Sequence, residues 1–317
     1  SNLELEYYCI KPVLNKMSNI IDINFLITGA PQYHDQKYST SIYDHENNEG
    51  EIDPRYNSNW GIYDGEYFSE RRNYYHKPVA NLNWDYNISD KADLSTVLYA
   101  SWGRGGGTGS LGSSSNRIRV GGDGNNQDEI DFDAIEANNA AIGVGNFGNS
   151  YIRRSSVNNH NWYGVLSNLN LEASENWDVN IGFDARMYHG DHFRQVNDLM
   201  GLTGFNDNFA TDRPSDYTFT EVYEANPWAA LTNFADEDNR TQYDYSEDIN
   251  YLGGFGQAEY SYGRWSAFVN VSGVANFYKG IDYFRSKQIT LGDTTFTIDD
   301  TTTIQYDGKT YDSNSPE

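Results

Sequence analysis

Cysteine is almost absent. Cys9 is the only one in 317 residues, so no internal disulfide can form and a cysteine-built metal site is excluded. Proline is scarce, at 7 residues, and basic groups are outnumbered: 22 Lys and Arg stand against 46 Asp and Glu, for a formal charge of −24. That balance argues against nucleic acid as a partner, because nucleic acid needs a basic footprint. An acidic surface is ordinarily a solvated one; the functional alternatives are loops that bind cations or a lumen that excludes anions. No uninterrupted apolar run reaches the roughly 18 residues of a membrane-crossing helix. A membrane barrel stays open, since its strands hide their lipid face in alternation.

What the chain has instead is aromatic residues and glycine: 26 Tyr, 15 Phe, 7 Trp and 29 Gly. Tyr and Trp carry an apolar body and a polar tip, which suits half-wet positions and membrane interfaces. The order of residues shows period-2 alternation, the mark of strands with two unlike faces. Over 177–189, Trp177, Val179, Ile181, Phe183, Ala185 and Met187 oppose Asp178, Asn180, Gly182, Asp184, Arg186 and Tyr188. Over 265–277, Trp265, Ala267, Val269, Val271, Ala275 and Phe277 share a face. Residues 21–28, 80–86 and 163–172 alternate in the same way, 94–102 and 249–262 less cleanly, and Leu3, Leu5 and Tyr7 open a further strand.

These eight strands fall into four hairpins. Lys11–Asn19, Ile88–Asp93, Ser174–Asn176 and Tyr262–Arg264 are the short connections. Long spans at about 29–72, 103–157 and 190–246 separate the pairs, always at the same end. Short turns at one rim and long loops at the other is the layout of an outer-membrane barrel. The alternative is a soluble or secreted carbohydrate-binding or adhesive β-protein, although sandwich strands are shorter and their loops rarely alternate so regularly. Within the long loops, Ile130–Ala141 and Asn226–Phe234 are expected to form short helices, the latter with Pro227 at its first position. Gly103–Gly109 is glycine-rich but lacks the Lys-Ser/Thr ending of a phosphate-binding loop. The chain opens at Ser1 within a strand-like stretch and stops at Glu317 in a polar tail, so it reads as a piece of a longer chain.

No catalytic residue, metal ligand or cofactor site stands out, and the chain does not read as an enzyme. His189 and His192 match no known zinc spacing. Asp123, Asn125, Asp128, Glu129, Asp131 and Asp133 gather oxygen ligands out of EF-hand register; like Asp236, Glu237 and Asp238, they read first as a solvated acidic loop. Asp178, Asn180, Asp184 and Arg186 are candidates to line a solute route, against the plainer reading that they bond one another inside a barrel. Trp60, Tyr63, Tyr67 and Trp228, with Phe68, are candidates to stack on a sugar, against the plainer reading that they anchor the loops.

Several segments carry a family resemblance. Gly29-Ala30-Pro31-Gln32 with His34, Tyr75-His76-Lys77-Pro78, Leu94-Ser95-Thr96 running to Tyr99-Ala100-Ser101-Trp102-Gly103-Arg104-Gly105-Gly106-Gly107, Ile130-Asp131-Phe132-Asp133-Ala134-Ile135 and Trp162-Tyr163-Gly164 occur in this order. Together they resemble the barrel of TonB-dependent outer-membrane receptors, in the subgroup with a carboxypeptidase-regulatory-like domain before the plug. The resemblance covers most of residues 19–280 and weakens at 1–18 and after about 285. It implies an all-β, antiparallel transmembrane barrel of 22 strands, of which residues 1–317 supply about eight, with the plug and the C-terminal strands lying outside. It implies import of an iron chelate, a corrinoid or an oligosaccharide across a Gram-negative outer membrane. Outer-membrane lipid surrounds such a barrel, the TonB energy-coupling protein engages the plug, and a surface lipoprotein partner is compatible with the pattern.

Overall fold

The computed structural model describes residues 4–5, 8–10, 13–14, 21–39, 41–46, 50–120, 128–207, 213–214, 216–284, 287–298 and 303–311. Its main feature is one large antiparallel sheet running up and down in chain order. The sheet comprises β1 (Ile21–Gly29), β2 (Gln32–Asp35), β3 (Arg72–His76), β4 (Val79–Ser89), β5 (Ala92–Gly112), β6 (Tyr151–Ser174), β7 (Trp177–Asp198), β8 (Arg240–Tyr262) and β9 (Trp265–Asp282). Glu4–Leu5, Tyr8–Ile10 and Val13–Leu14 add a first ribbon against β1 and β2. Segments β1 and β2 are one ribbon broken at Ala30-Pro31, and β3 and β4 one ribbon broken at Lys77-Pro78. Proline has no N–H to give to a ladder, which explains both breaks. Eight ribbons result, as the alternation predicts. The sheet is open: among the described residues no pairing joins its first ribbon to its last.

Two-residue turns at Asp90-Lys91, Glu175-Asn176 and Gly263-Arg264 close three hairpins at one rim. Gly263 takes φ +60°, the left-handed first position that a tight hairpin asks of glycine. The loop boundaries differ from expectation. Residues 32–35, 103–112, 151–157, 190–198 and 240–246 are strand, not loop, so the long connections shrink to 36–71, 113–150 and 199–239. Val13–Leu14 lies inside the stretch read as the first turn. The helix of the second connection is present as α1 (Phe132–Ile142), whereas Asn226–Phe234 holds only the short 3-10 turn Ala229–Leu231.

The pairing fixes which residues share a face. Ile21, Ile23, Phe25 and Ile27 lie opposite Tyr86, Trp84, Leu82 and Ala80. Those lie beside Leu94, Thr96, Leu98 and Ala100, then Leu169, Ser167, Val165 and Tyr163, then Ile181, Phe183, Ala185 and Met187. The same face continues through Gly256, Gly254, Leu252 and Asn250 to Val271, Gly273, Ala275 and Phe277. It is apolar almost throughout, and it is exposed: Ile181 is 54%, Met187 61% and Val271 69% accessible. Two of its polar exceptions sit directly opposite each other and are bonded, Thr96 Oγ1 to Ser167 Oγ at 2.9 Å.

Toward the long-loop end the sheet is covered. The hairpin Trp60–Tyr63/Glu66–Ser69 sets Tyr63 and Phe68 against Phe132 of α1, with centroids 6.3 and 4.9 Å apart. Asp131 caps α1 by accepting from the Ala134 N–H at 2.9 Å. Ile130, Phe132, Ile135, Tyr151 and Met200 form the buried cluster beneath, each fully buried side chain contributing roughly 1.5–3 kcal/mol. Glu70 ties the assembly together. Nearly inaccessible, it accepts from Arg117 Nε at 2.7 Å and from the Tyr151 hydroxyl. Burial and the Glu70 carboxylate push the Tyr151 phenol well above its ordinary pKa, so it stays a donor.

Glu70→Ala removes a buried carboxylate and leaves the partly buried Arg117 guanidinium and the buried Tyr151 hydroxyl without their acceptor, a change costing about 3 kcal/mol. The expected outcome is amide exchange in α1 and residues 58–69 about 100-fold faster by mass spectrometry, with β7 and β8 unchanged. Unchanged exchange at α1 would show that Glu70 does not hold the cap.

Candidate functional site

The opposite face of the sheet is polar. Asp178, Asn180, Asp184 and Arg186 all lie on it, as the alternation predicts. Asn170 Oδ1 accepts from Asn168 Nδ2 at 3.3 Å and from Asn180 Nδ2. The Arg186 guanidinium lies 4.7 Å from the Tyr251 ring centroid. Flat rings cover the glycines of this face. A Cβ at Gly164 would fall 2.1 Å from Tyr99 Cζ, and one at Gly182 2.4 Å from Phe255 Cζ; both aromatics are the direct cross-strand partners of those glycines. Asp178 and Asn180 edge a shallow recess near the turn rim with Asp93 and Gln257. These four candidates are surface groups of one face, and the structure does not gather them into a single pocket.

The loop candidates are scattered. Tyr63 packs against Phe68 at 5.2 Å, and Trp60 meets Tyr67 edge-on at 5.6 Å. Tyr67 is exposed and donates to Glu129 Oε1 at 3.1 Å. Trp228 sits on the imidazole of His76 at 4.7 Å, away from the other three. His189 and His192 point apart, as an i, i+3 pair on a strand must. His189 bonds Asp248 at 2.7 Å and Asp191 at 3.2 Å; His192 bonds Asn158 at 2.6 Å. Of the acidic loop, Asp123 and Asn125 lie outside the described residues. Asp131 caps α1, and Asp133 accepts from the Asp64 N–H at 2.7 Å. Among the described residues no group of three or more acidic, His or Cys side chains is placed to hold a metal.

The cleft that does form was not expected. It lies on the polar face above the apolar belt and has a volume of about 480 Å³, within the usual range of small-molecule sites of about 300–1,000 Å³. Its floor is Gly103, Gly105 and Gly107 of β5, alternate positions that turn to the same face. Glycine leaves the backbone bare there. A Cβ at Gly107 would meet nothing closer than Gln36 Oε1 at 3.9 Å, so the space above it is open. The walls are Gln36, Tyr38, Arg71, Asn73, Tyr75 and Lys77 on one side and Arg154, Ser156, Asn158 and His160 on the other. The glycine-rich stretch was the available signal: glycine at every second position of a strand removes a whole row of side chains from one face.

Electrostatics set this cleft apart from the rest of the chain. Arg71, Lys77 and Arg154 turn their side chains to it, and among the described residues no carboxylate lines it; Arg104 contributes backbone only, its guanidinium turning to the other face to bond Asn161 Oδ1 at 2.8 Å. Burial, then the positive charges of Arg194 and Arg71, bring the Arg154 guanidinium down to about 10. Arg154 donates from Nη1 to Ser156 Oγ at 3.2 Å, while its buried Nε has no partner among the described residues. Arg71 stands 3.6 Å from Glu70 and donates to the Tyr38 hydroxyl at 3.3 Å. Burial, then repulsion from His192, Lys77 and Arg104, lowers His160 to about 4; its Nδ1 contacts the Tyr188 hydroxyl at 2.6 Å.

The chain matches no protein-family model and no curated protein.

His160 yields a pH prediction with a definite sign. Its folded pKa lies below the ordinary value near 6.5, so the unfolded chain takes up a proton that the folded one refuses. Its contribution is complete above about pH 6.5 and is lost as pH falls toward 4. Half-exposure of the ring limits the loss to about 1–2 kcal/mol. Thermal unfolding at pH 7.5 and 4.5 is expected to show a smaller acid-induced drop in His160→Gln than in the wild type. An identical drop would mean that the ring titrates as a solvated group.

Proposed function

We propose that this chain is part of an outer-membrane receptor of the TonB-dependent kind, which binds a nutrient at its long-loop end and admits it with energy supplied through TonB. The observation that carries the reading is the exposed apolar belt. A water-soluble sheet turns its apolar face inward and its polar face out. Here, among the described residues, nothing covers the apolar face along the belt, while the polar face carries an amide network and the cleft. That inversion suits a barrel with lipid outside and a wet interior.

The belt also has the right height. It runs ten residue steps along β7, from Trp177 to Met187. At about 3.4 Å per residue that is about 34 Å of strand, or about 25 Å of membrane normal at a tilt of about 45°. Aromatic residues mark both margins. Trp84, Tyr86, Trp177, Tyr260, Tyr262 and Trp265 lie toward the turn rim, with Trp177 and Tyr260 at 5.0 Å. At the other margin Trp102 Nε1 donates to the Tyr163 hydroxyl at 3.0 Å. Interfacial girdles of this kind flank the lipid band of membrane barrels. The free edge supports a larger sheet: all 18 residues of β9 are exposed on both faces, a state that further strands would relieve.

Two substitutions at neighbouring positions test the reading. Ile181→Arg puts a charge at the middle of the belt, costing about 2–4 kcal/mol in lipid. Asn180→Arg puts the same charge on the polar face. The expected outcome is loss of folded, heat-modifiable protein from the outer membrane for Ile181→Arg and near-normal assembly for Asn180→Arg. Equal assembly of the two, or recovery of the wild-type protein folded in buffer without detergent, would sink the proposal in favour of a soluble β-protein.

A further inference from the structure

We propose that the glycine-floored cleft is the substrate's primary docking site and selects a small solute bearing carboxylates. This rests on the receptor reading for its biological sense, but the binding chemistry stands on the cleft alone. A chain with 46 acidic residues and 22 basic ones would line a cavity of random composition with more carboxylates than cations. This cavity has the reverse, and two of the three cations that face it, Arg71 and Arg154, are arginines. The planar guanidinium fork matches a carboxylate in two parallel hydrogen bonds.

The arginines are held ready. Arg154 lies over Gly109, where a Cβ would come within 3.0 Å of its Nη1. Arg194 reaches toward it from β7, donating to the same Ser156 hydroxyl that Arg154 uses, at 3.3 Å. Arg194 also donates to Gln242, a residue at φ +63° beside the register shift of β7 and β8. Like charges held this close repel, and an anion between them removes the repulsion. The buried Nε of Arg154, without a partner among the described residues, is a donor with its bond still to make. Gly103 and Gly107 leave room for the solute's body above bare backbone, while Tyr38 and Tyr75 offer ring surface at the wall.

Two sources supply this chemistry, acidic oligosaccharides and polycarboxylate chelates, and the test separates them. The full chain, purified in detergent, is titrated calorimetrically with trigalacturonate, with citrate and with neutral maltotriose at 50 and 500 mM salt. At least one of the two anions is expected to bind, more weakly at high salt, while maltotriose does not. Binding of trigalacturonate alone assigns a sugar acid; binding of citrate assigns a chelate-type ligand. Arg154→Gln is expected to weaken binding at least tenfold. Gly107→Leu, which fills the open space without touching backbone, is expected to abolish it. The proposal is overturned if neither anion binds at 10 mM, if maltotriose binds as tightly, or if both variants bind within twofold of wild type. Saturable anion binding by a protein that fails to enter the outer membrane would sustain the cleft and remove the receptor.

Discussion

The register of one antiparallel ladder is the constraint on which the rest of the molecule depends. Side chains alternate with period two, so a one-residue slip in any pair would throw a whole apolar row onto the polar face. The ladder avoids that even where proline interrupts it. Thr28 pairs with Val79 below the break and Gln32 with Tyr75 above it. Three residues on one side oppose three on the other, so the faces stay in phase. The two prolines fall on the same stretch of ladder, which confines the loss of hydrogen bonds to one place. Trp102 N–H recovers part of it by donating to the Pro78 carbonyl at 3.1 Å.

That stretch is also where the molecule changes character. Below it the strands carry the exposed apolar belt. Above it β5 turns to glycine, the cleft opens, and the loops close over the sheet. Val157 and Phe193 lie on the continuation of the apolar face, yet they are buried against Tyr223 and Ala235 of the third long connection. Leu111 and Ile152, on the other face, are buried against Leu202, Phe205 and Phe219. One set of strands thus serves two environments: an uncovered sheet near the turn rim, and a conventionally packed protein core at the loop end.

This division explains how much was legible in the sequence. Where only one face is apolar, alternation is clean, and Trp177 to Met187 was readable residue by residue. Past Tyr188 both faces meet protein. Phe193 and then Gln195, Val196 and Asn197 are buried, with only Arg194 between them partly exposed, and a run buried on both sides has no period to detect. Residues 190–198 therefore read as loop although they are strand. Gly103–Gly109 was misread for a related reason, because glycine ordinarily marks flexibility and here it strips one face of a paired strand. Arg71, Lys77 and Arg154 are spread along the chain and carry no motif; only the pairing of β5 with β3 and β6 brings them to one cleft. The loop aromatics were visible as residues, but which of them touch Phe132 depends on how two connections fold against each other.

Charge gives the last link between the fold and its use. An acidic molecule repels anions over most of its surface, so a cationic recess whose wall holds no carboxylate among the described residues is a place where an anion is little opposed. Low dielectric sharpens the contrast, because partly buried guanidinium groups lose the water that would otherwise screen them. The same desolvation disfavours the charged guanidinium and lowers the pKa of Arg154. The fold tolerates this because Arg154 is fixed between two long ladders that are anchored elsewhere, by the loop core above and by the belt below. A rigid scaffold holding mutually repelling donors around open space is preorganised for an anion, whereas a flexible loop would relax the repulsion by moving its arginines apart.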